Sequence, residues 1–169
     1  MTYDSIIKTN NQKLENLGFK LDTSELKLFS QKDWTIFSLS NFGDYKNGYF
    51  DPVDMIAYVP LDDDESLSHE HFGHRFYFEK SKLGKELRKL SFDIINSKGS
   101  PQEVINLENK LISLRNENNV LIESFANWMA YFLLEKDPRE FSGYGENCFK
   151  YLVDLENKNG PLDVINRFL

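Results

Sequence analysis

The sequence predicts an α+β domain, with a small sheet near its start and a mostly helical second half. Three observations carry that expectation. Runs of strand length appear only in the first part of the chain, apolar residues at helical spacing dominate from Leu83 onward, and the Gly and Pro breaks are local rather than gathered into a linker. At 169 residues the chain suits one compact domain that buries a core without staples. We expect a single domain over 1–169, divided near Gly99-Ser100-Pro101 into a sheet half, 1–99, and a helical half, 100–169.

In chain order, "YDSIIKTNNQKLENLGF" places Ile6, Ile7, Leu14 and Leu17 at helical spacing and stops at Gly18. "LKLFS" and "WTIFSLS" are expected as strands, parted by a polar turn around Gln31–Asp33. In "NFGDYKNGYFDPVDMIAYVP" a Gly-rich turn leads to a short strand, Met55–Val59, closed by Pro60. The acidic "LDDDES", Leu61–Ser66, reads as a solvated loop ending in a helix cap. Leu83, Leu87, Leu90 and Ile94 then share one helix face, which Gly99 ends. Ser100, Pro101 and Glu103 start the next helix as cap, first residue and capping carboxylate. Val104, Leu107, Leu111 and Leu114 keep its period; Asn116–Asn119 is expected to interrupt it before Val120–Leu134 resumes. A last pair, Glu146–Glu156 and Leu162–Phe168, is split by Asn159-Gly160-Pro161.

A net charge of -7 and a pI near 5.0 exclude a dominant electrostatic attraction to nucleic acid or anionic membrane. The longest apolar-rich piece, Phe125–Leu134, is too short to span a bilayer. Cys148 stands alone and cannot form an internal bridge, and no charged-then-apolar leader opens the chain, so a soluble protein of a reducing cytoplasm is expected.

Every histidine of the chain lies in "HEHFGH", as His69, His71 and His74, with Glu70 between the first two. An α-helix turns about 100° per residue, so side chains four apart differ by about 40° and side chains five apart by about 140°. His69 and His74 therefore share a metal only if the helix widens locally as a π-bulge. Gly73, without a Cβ to clash, is the expected place for that distortion. His71 and His74, three apart, meet without a bulge, but that pairing leaves Glu70 without its role as base beside a metal. Imidazole and carboxylate donors with an open position suit zinc. A reading with no metal, in which the histidines form a pH-sensitive or partner-binding surface, stands beside it.

His69-Glu70-His71-Phe72-Gly73-His74 resembles H-E-x-x-G-H, the lengthened motif of the dipeptidyl peptidase III family of zinc peptidases. The resemblance implies a gluzincin, whose third ligand is a Glu on a later helix. "LIESFANWMAYFLLE" offers Glu123 beside the apolar positions Ile122, Phe125, Ala126, Met129 and Leu133, whereas Glu117 sits in a polar run and looks solvated. Asn127 stands where the gluzincin pattern carries an acid that supports a ligand histidine, so a hydrogen bond survives there without the charge. "GYFDPVDMIAYVP" is similar to the edge strand that binds extended peptide beside such clefts. "GYGENCFKYLVDLENKNGPLDVI" is similar to their C-terminal helix, which implies Tyr144 as a donor to the oxyanion of a tetrahedral intermediate.

The resemblance thus implies a zincin-like fold and one zinc ion held by His69, His74 and Glu123. Glu70 is implied as general base, Asn127 as support, and a peptide or protein as substrate. His71 is expected to face away, toward solvent. The short chain and Asn127 keep an alternative open: a non-catalytic or latent zinc-binding descendant acting as a binding module.

Overall fold

The computed structural model describes residues 3–21, 25–140 and 145–169. Helix α1, Tyr3–Asn16, turns Ile6, Asn10 and Leu14 inward at four-residue spacing, as its pattern predicts. Its first residue ties it to the sheet: the Tyr3 hydroxyl donates to Pro60 O at 2.8 Å and accepts from Asp63 N at 2.9 Å.

Three strands form a mixed sheet: β1, Leu26–Phe29, β2, Tyr49–Asp51, and β3, Ile56–Pro60. Their order is β1-β3-β2, with β1 parallel and β2 antiparallel to the central β3. The edge strand of the "GYFDPVDMIAYVP" segment is therefore Tyr49–Asp51, while Ile56–Pro60 lies inside the sheet. On one face Val59 packs with Ile6 and Leu67. On the other, Tyr58 stacks on Phe37 at 5.3 Å between ring centres.

Phe37 belongs not to a strand but to a helix. "WTIFSLS", expected as a strand, lies within α2, Gln31–Phe42. Ser30 caps it by accepting from Asp33 N, and Gly43 ends it in the left-handed region at φ 77. The apolar run reads as alternating only if those two local signals are passed over. Trp34 and Phe37 point to the sheet while Ile36 and Leu39 stay exposed, a helical division of faces. Buried Trp34 donates Nε1 to Lys46 O at 2.7 Å, and the Ser38 hydroxyl accepts from Lys46 N at 2.7 Å. Those bonds fix the approach to β2, including Gly48.

After β3, Asp63 caps a continuous helical rod by accepting from Ser66 N, as expected of the acidic loop. The rod comprises α3, Asp64–Ser66, a π-helical segment, Leu67–His74, and α4, Arg75–Lys80. Helix α5, Lys82–Ile95, leads to α6, Pro101–Leu134. The capping box at Ser100 and Glu103 is present in full. The expected interruption at Asn116–Asn119 is absent, because no Gly or Pro breaks the segment and the Asn118 side chain donates back to Leu114 O at 2.8 Å. Leu111 and Leu114, packed against the core, hold that stretch helical despite its polar sequence. At 1.5 Å per residue α6 is about 51 Å long.

A short 3₁₀ turn, Pro138–Glu140, precedes α7, Glu146–Asn159, and α8, Pro161–Asn166, parted at Gly160 as the sequence predicts. The main core lies where the rod meets α6: Phe72, Phe76 and Tyr77 against Phe125, Trp128 and Met129, closed by α7 and α8. No described helix is long and apolar enough to cross a membrane. The whole is the α+β arrangement the sequence predicts.

Continuity of α6 has a direct test. Asn116→Pro should lower stability by roughly 3 kcal/mol in urea titration, because it removes a helix bond and clashes with the preceding turn. Asn116→Ala should not destabilise; equal tolerance of both would mean a loop at that point.

Candidate metal centre

The π-helical segment answers the spacing problem of the histidines. At its end the Arg75 N–H donates to Glu70 O, five residues back. The wider turn carries His69 and His74 onto one side, and their Nε2 atoms stand 3.1 Å apart. From α6, Glu123 Oε2 reaches both rings, at 3.4 Å from His69 Nε2 and 3.6 Å from His74 Nε2. A tetrahedral zinc with bonds of about 2.0–2.1 Å sets neighbouring ligand atoms about 3.3–3.4 Å apart, so this triangle has the dimensions of one tetrahedral face. Glu70 Oε2 lies 3.9 Å from His74 Nε2. His69, Glu70 and His74 thus form a group that can hold a metal ion, with Glu123 against its two imidazoles.

Two glycines make that convergence sterically feasible. A Cβ on Gly73 would stand 2.6 Å from Ala126 Cα and 2.9 Å from its Cβ. Gly73 therefore serves close packing of the rod on α6; its backbone is not in the positive-φ region, so the distortion expected of it is not a glycine conformation. Ala126 stands between Glu123 and Asn127, so this contact brings both polar residues up to the histidines. On the opposite side a Cβ on Gly48 would fall 2.6 Å from Glu70 Cγ. The entry to β2 thus presses directly on the Glu70 side chain.

Burial by itself would raise the Glu123 carboxyl, but hydrogen bonds from His69 and His74, with their charges, more than offset it and hold Glu123 well below the usual carboxylate range. Burial would likewise lower the His69 imidazole; the bond to Glu123, the charges of Glu70 and Glu123, and a hydrogen bond to Asn127 raise it instead. Asn127 lines the same cavity as the His69 ring. His74 Nδ1 is buried without a hydrogen-bond partner among the described residues.

His71 departs from expectation. It faces away from the other two histidines but is buried, not solvated, with Nε2 3.4 Å from Arg75 Nη1. Burial, and then the Arg75 charge, push its imidazole down to about 4, so it is neutral near pH 7. Tyr144 lies outside the described residues.

Cavities open on both sides of Glu70. One, of about 340 Å³, runs between Phe50 on β2 and Glu123, Asn119 and Arg115 on α6. The other, of about 240 Å³, is bounded by Lys46, Glu65, His69 and Asn127. A larger hollow of about 550 Å³ around Lys13, Tyr131 and Glu156 shares no lining residue with the centre. Sequence reasoning missed Arg115 and Asn119, because the expected break at Asn116–Asn119 hid a four-residue repeat: Arg115, Asn119, Glu123, Asn127.

No known family, curated protein or solved structure matches the chain.

Gly73→Ala provides a test of the close approach. The added methyl should destabilise the fold by about 1–3 kcal/mol in denaturant titration, since the clash is with backbone. Unchanged stability would mean that the rod and α6 do not meet at Ala126.

Proposed function

We propose that the chain is a zinc-dependent peptidase, with His69, His74 and Glu123 holding one ion and Glu70 as general base. The observation that carries this reading is the triangle of Nε2, Nε2 and Oε2 atoms at 3.1, 3.4 and 3.6 Å, with a second carboxylate beside it. Two imidazoles and a carboxylate with one side open are the donor set of a catalytic rather than a structural zinc site. A zinc ion held there would supply Lewis acidity, polarising a carbonyl and lowering the pKa of water toward about 7.

The protein's own groups would do the rest. Glu70, 9% exposed and pressed by Gly48, is confined to the cleft, where it takes a proton from the attacking water as its oxygen bonds to the peptide carbonyl carbon. It then delivers that proton to the leaving nitrogen as the C–N bond breaks. Strand β2, at the sheet edge, offers backbone groups to an extended peptide lying across the cleft. Asn127 orients the His69 ring by hydrogen bonding.

The absence of an acid at position 127 favours a second reading, a zinc-binding module that has lost hydrolysis. Glu70 distinguishes the two.

The purified protein should contain one zinc ion per chain by elemental analysis, lost in His69→Ala and Glu123→Ala; chelation should lower its Tm. A protein that neither carries nor takes up stoichiometric zinc sinks the metal reading. Glu70→Gln should keep the zinc and lose about 10²–10⁴-fold in peptide hydrolysis. A wild-type protein that binds zinc yet cleaves no peptide supports the binding-module reading. Asn127→Ala should weaken zinc binding by about 10–100-fold in competition with a chromogenic chelator.

A further inference from the structure

The polar repeat on α6 continues beyond the centre. Arg115, Asn119, Glu123 and Asn127 follow one another at four-residue spacing, a ridge along one side of the helix. Glu123 and Asn127 serve the histidines; Arg115 and Asn119 line the larger cavity next to them, facing Gly48, Phe50 and Phe78. Arg115 is exposed, and no carboxylate pairs with it among the described residues. Its charge is felt at Tyr49 on the edge strand, where it favours the phenolate against the larger effect of burial. Lys46, at the entry to that strand, lines the same cavity, though Asp44 stands 3.2 Å from its ammonium. In a chain of net charge -7, the larger cavity is thus lined by two cations, Lys46 from the sheet wall and Arg115 from the helix wall, and only Arg115 lies on that side of Glu70 alone, with no carboxylate paired to it among the described residues.

We propose that Arg115 is a specificity residue that selects peptides carrying a carboxylate on that side of the cleaved bond. This rests on the peptidase reading of the centre and names its substrate class. Eight residues of helix separate Arg115 from Glu123, a rise of about 12 Å, which the reach of the arginine side chain shortens. An extended peptide advances about 3.3 Å per residue, so the carboxylate meets the guanidinium roughly two to three residues from the reacting carbonyl. A guanidinium binds a carboxylate through two parallel N–H donors, and the planar fork gives direction as well as charge. The carboxylate is either an Asp or Glu side chain or the C-terminus of a short peptide; both present the same pair of oxygens.

Zinc-loaded protein tests this on internally quenched peptides paired as Glu against Gln at each position, and as C-terminal acid against amide. Wild type should cleave the acidic member of one pair faster by about tenfold or more in kcat/KM, the scale of one charge-assisted bond. Preference at an internal position identifies a side chain, and preference confined to the acid–amide pair identifies the terminus. Arg115→Glu should abolish or invert the preference in favour of Lys-containing peptides, with zinc content unchanged, while Arg115→Lys keeps part of it. An acid-to-neutral ratio equal in wild type and Arg115→Glu overturns the proposal. If wild type cleaves no peptide, the peptidase reading fails by itself. Calorimetric binding of the same pairs to zinc-loaded Glu70→Gln, with and without Arg115→Glu, then decides the role of Arg115: equal Kd values for the acidic and neutral members overturn it.

Discussion

The arrangement depends on one contact, Gly73 of the motif rod against Ala126 of α6. With no side chain at position 73, the two helices approach until a methyl group would fall 2.6 Å from Ala126 Cα. A helix pair held farther apart would leave Glu123 short of the imidazoles, since its position along α6 is three residues from the contact. The same approach seats Phe72 and Phe76, on either side of Gly73, among Phe125, Trp128 and Met129. Core packing and the convergence of His69, His74 and Glu123 therefore share one interface, and the core's free energy holds the three side chains together.

The π-helical widening is stable for a related reason. Looser helical turns are rare because their hydrogen-bond geometry gains little by itself. Here every residue from Leu67 to His74 except His69 is buried, so packing against β3, α1 and α6 compensates the local cost. Asn10 Nδ2 donates to Ser68 Oγ at 3.2 Å from α1, which holds the back of the widened turn. His71 belongs to that structural side: buried beside Arg75, it is a neutral packing group, while its two neighbours in the motif turn toward the cleft.

The cleft itself is built from two unlike walls. One is a sheet edge, pinned through Trp34, Ser38 and Lys46 so that Gly48 arrives against Glu70. The other is a single long helix that carries Glu123, Asn127, Asn119 and Arg115 along one ridge. A rigid helix sets the spacing of these groups from one another to within a turn, which is what the proposed site, holding an ion and orienting an extended ligand, would require.

Local chemistry was legible in the sequence. The caps at Asp63 and Ser100, the Gly160 break, and the histidine motif with its need for a widened turn all depend on residues within a few positions of one another. Glu123 was legible through its place beside an apolar helical face, and Asn127 only through the motif resemblance. Helix α2 carried its signals, Ser30, Asp33 and Gly43, yet its apolar residues served either period, and packing of Trp34 and Phe37 on the sheet chose the helix. The continuity of α6 was hidden because Asn-rich composition argues locally for a break, whereas packing of the half-buried Leu111 and Leu114 against the core decides for helix. Gly73 against Ala126 and Gly48 against Glu70 join residues far apart in the chain, and no pattern of spacing contains them. The sequence by itself named His69, Glu70, His74, Glu123 and Asn127 as candidates; only tertiary structure decided that they meet and that Arg115 and Asn119 line the same cleft, because the meeting is a steric fit between distant backbones.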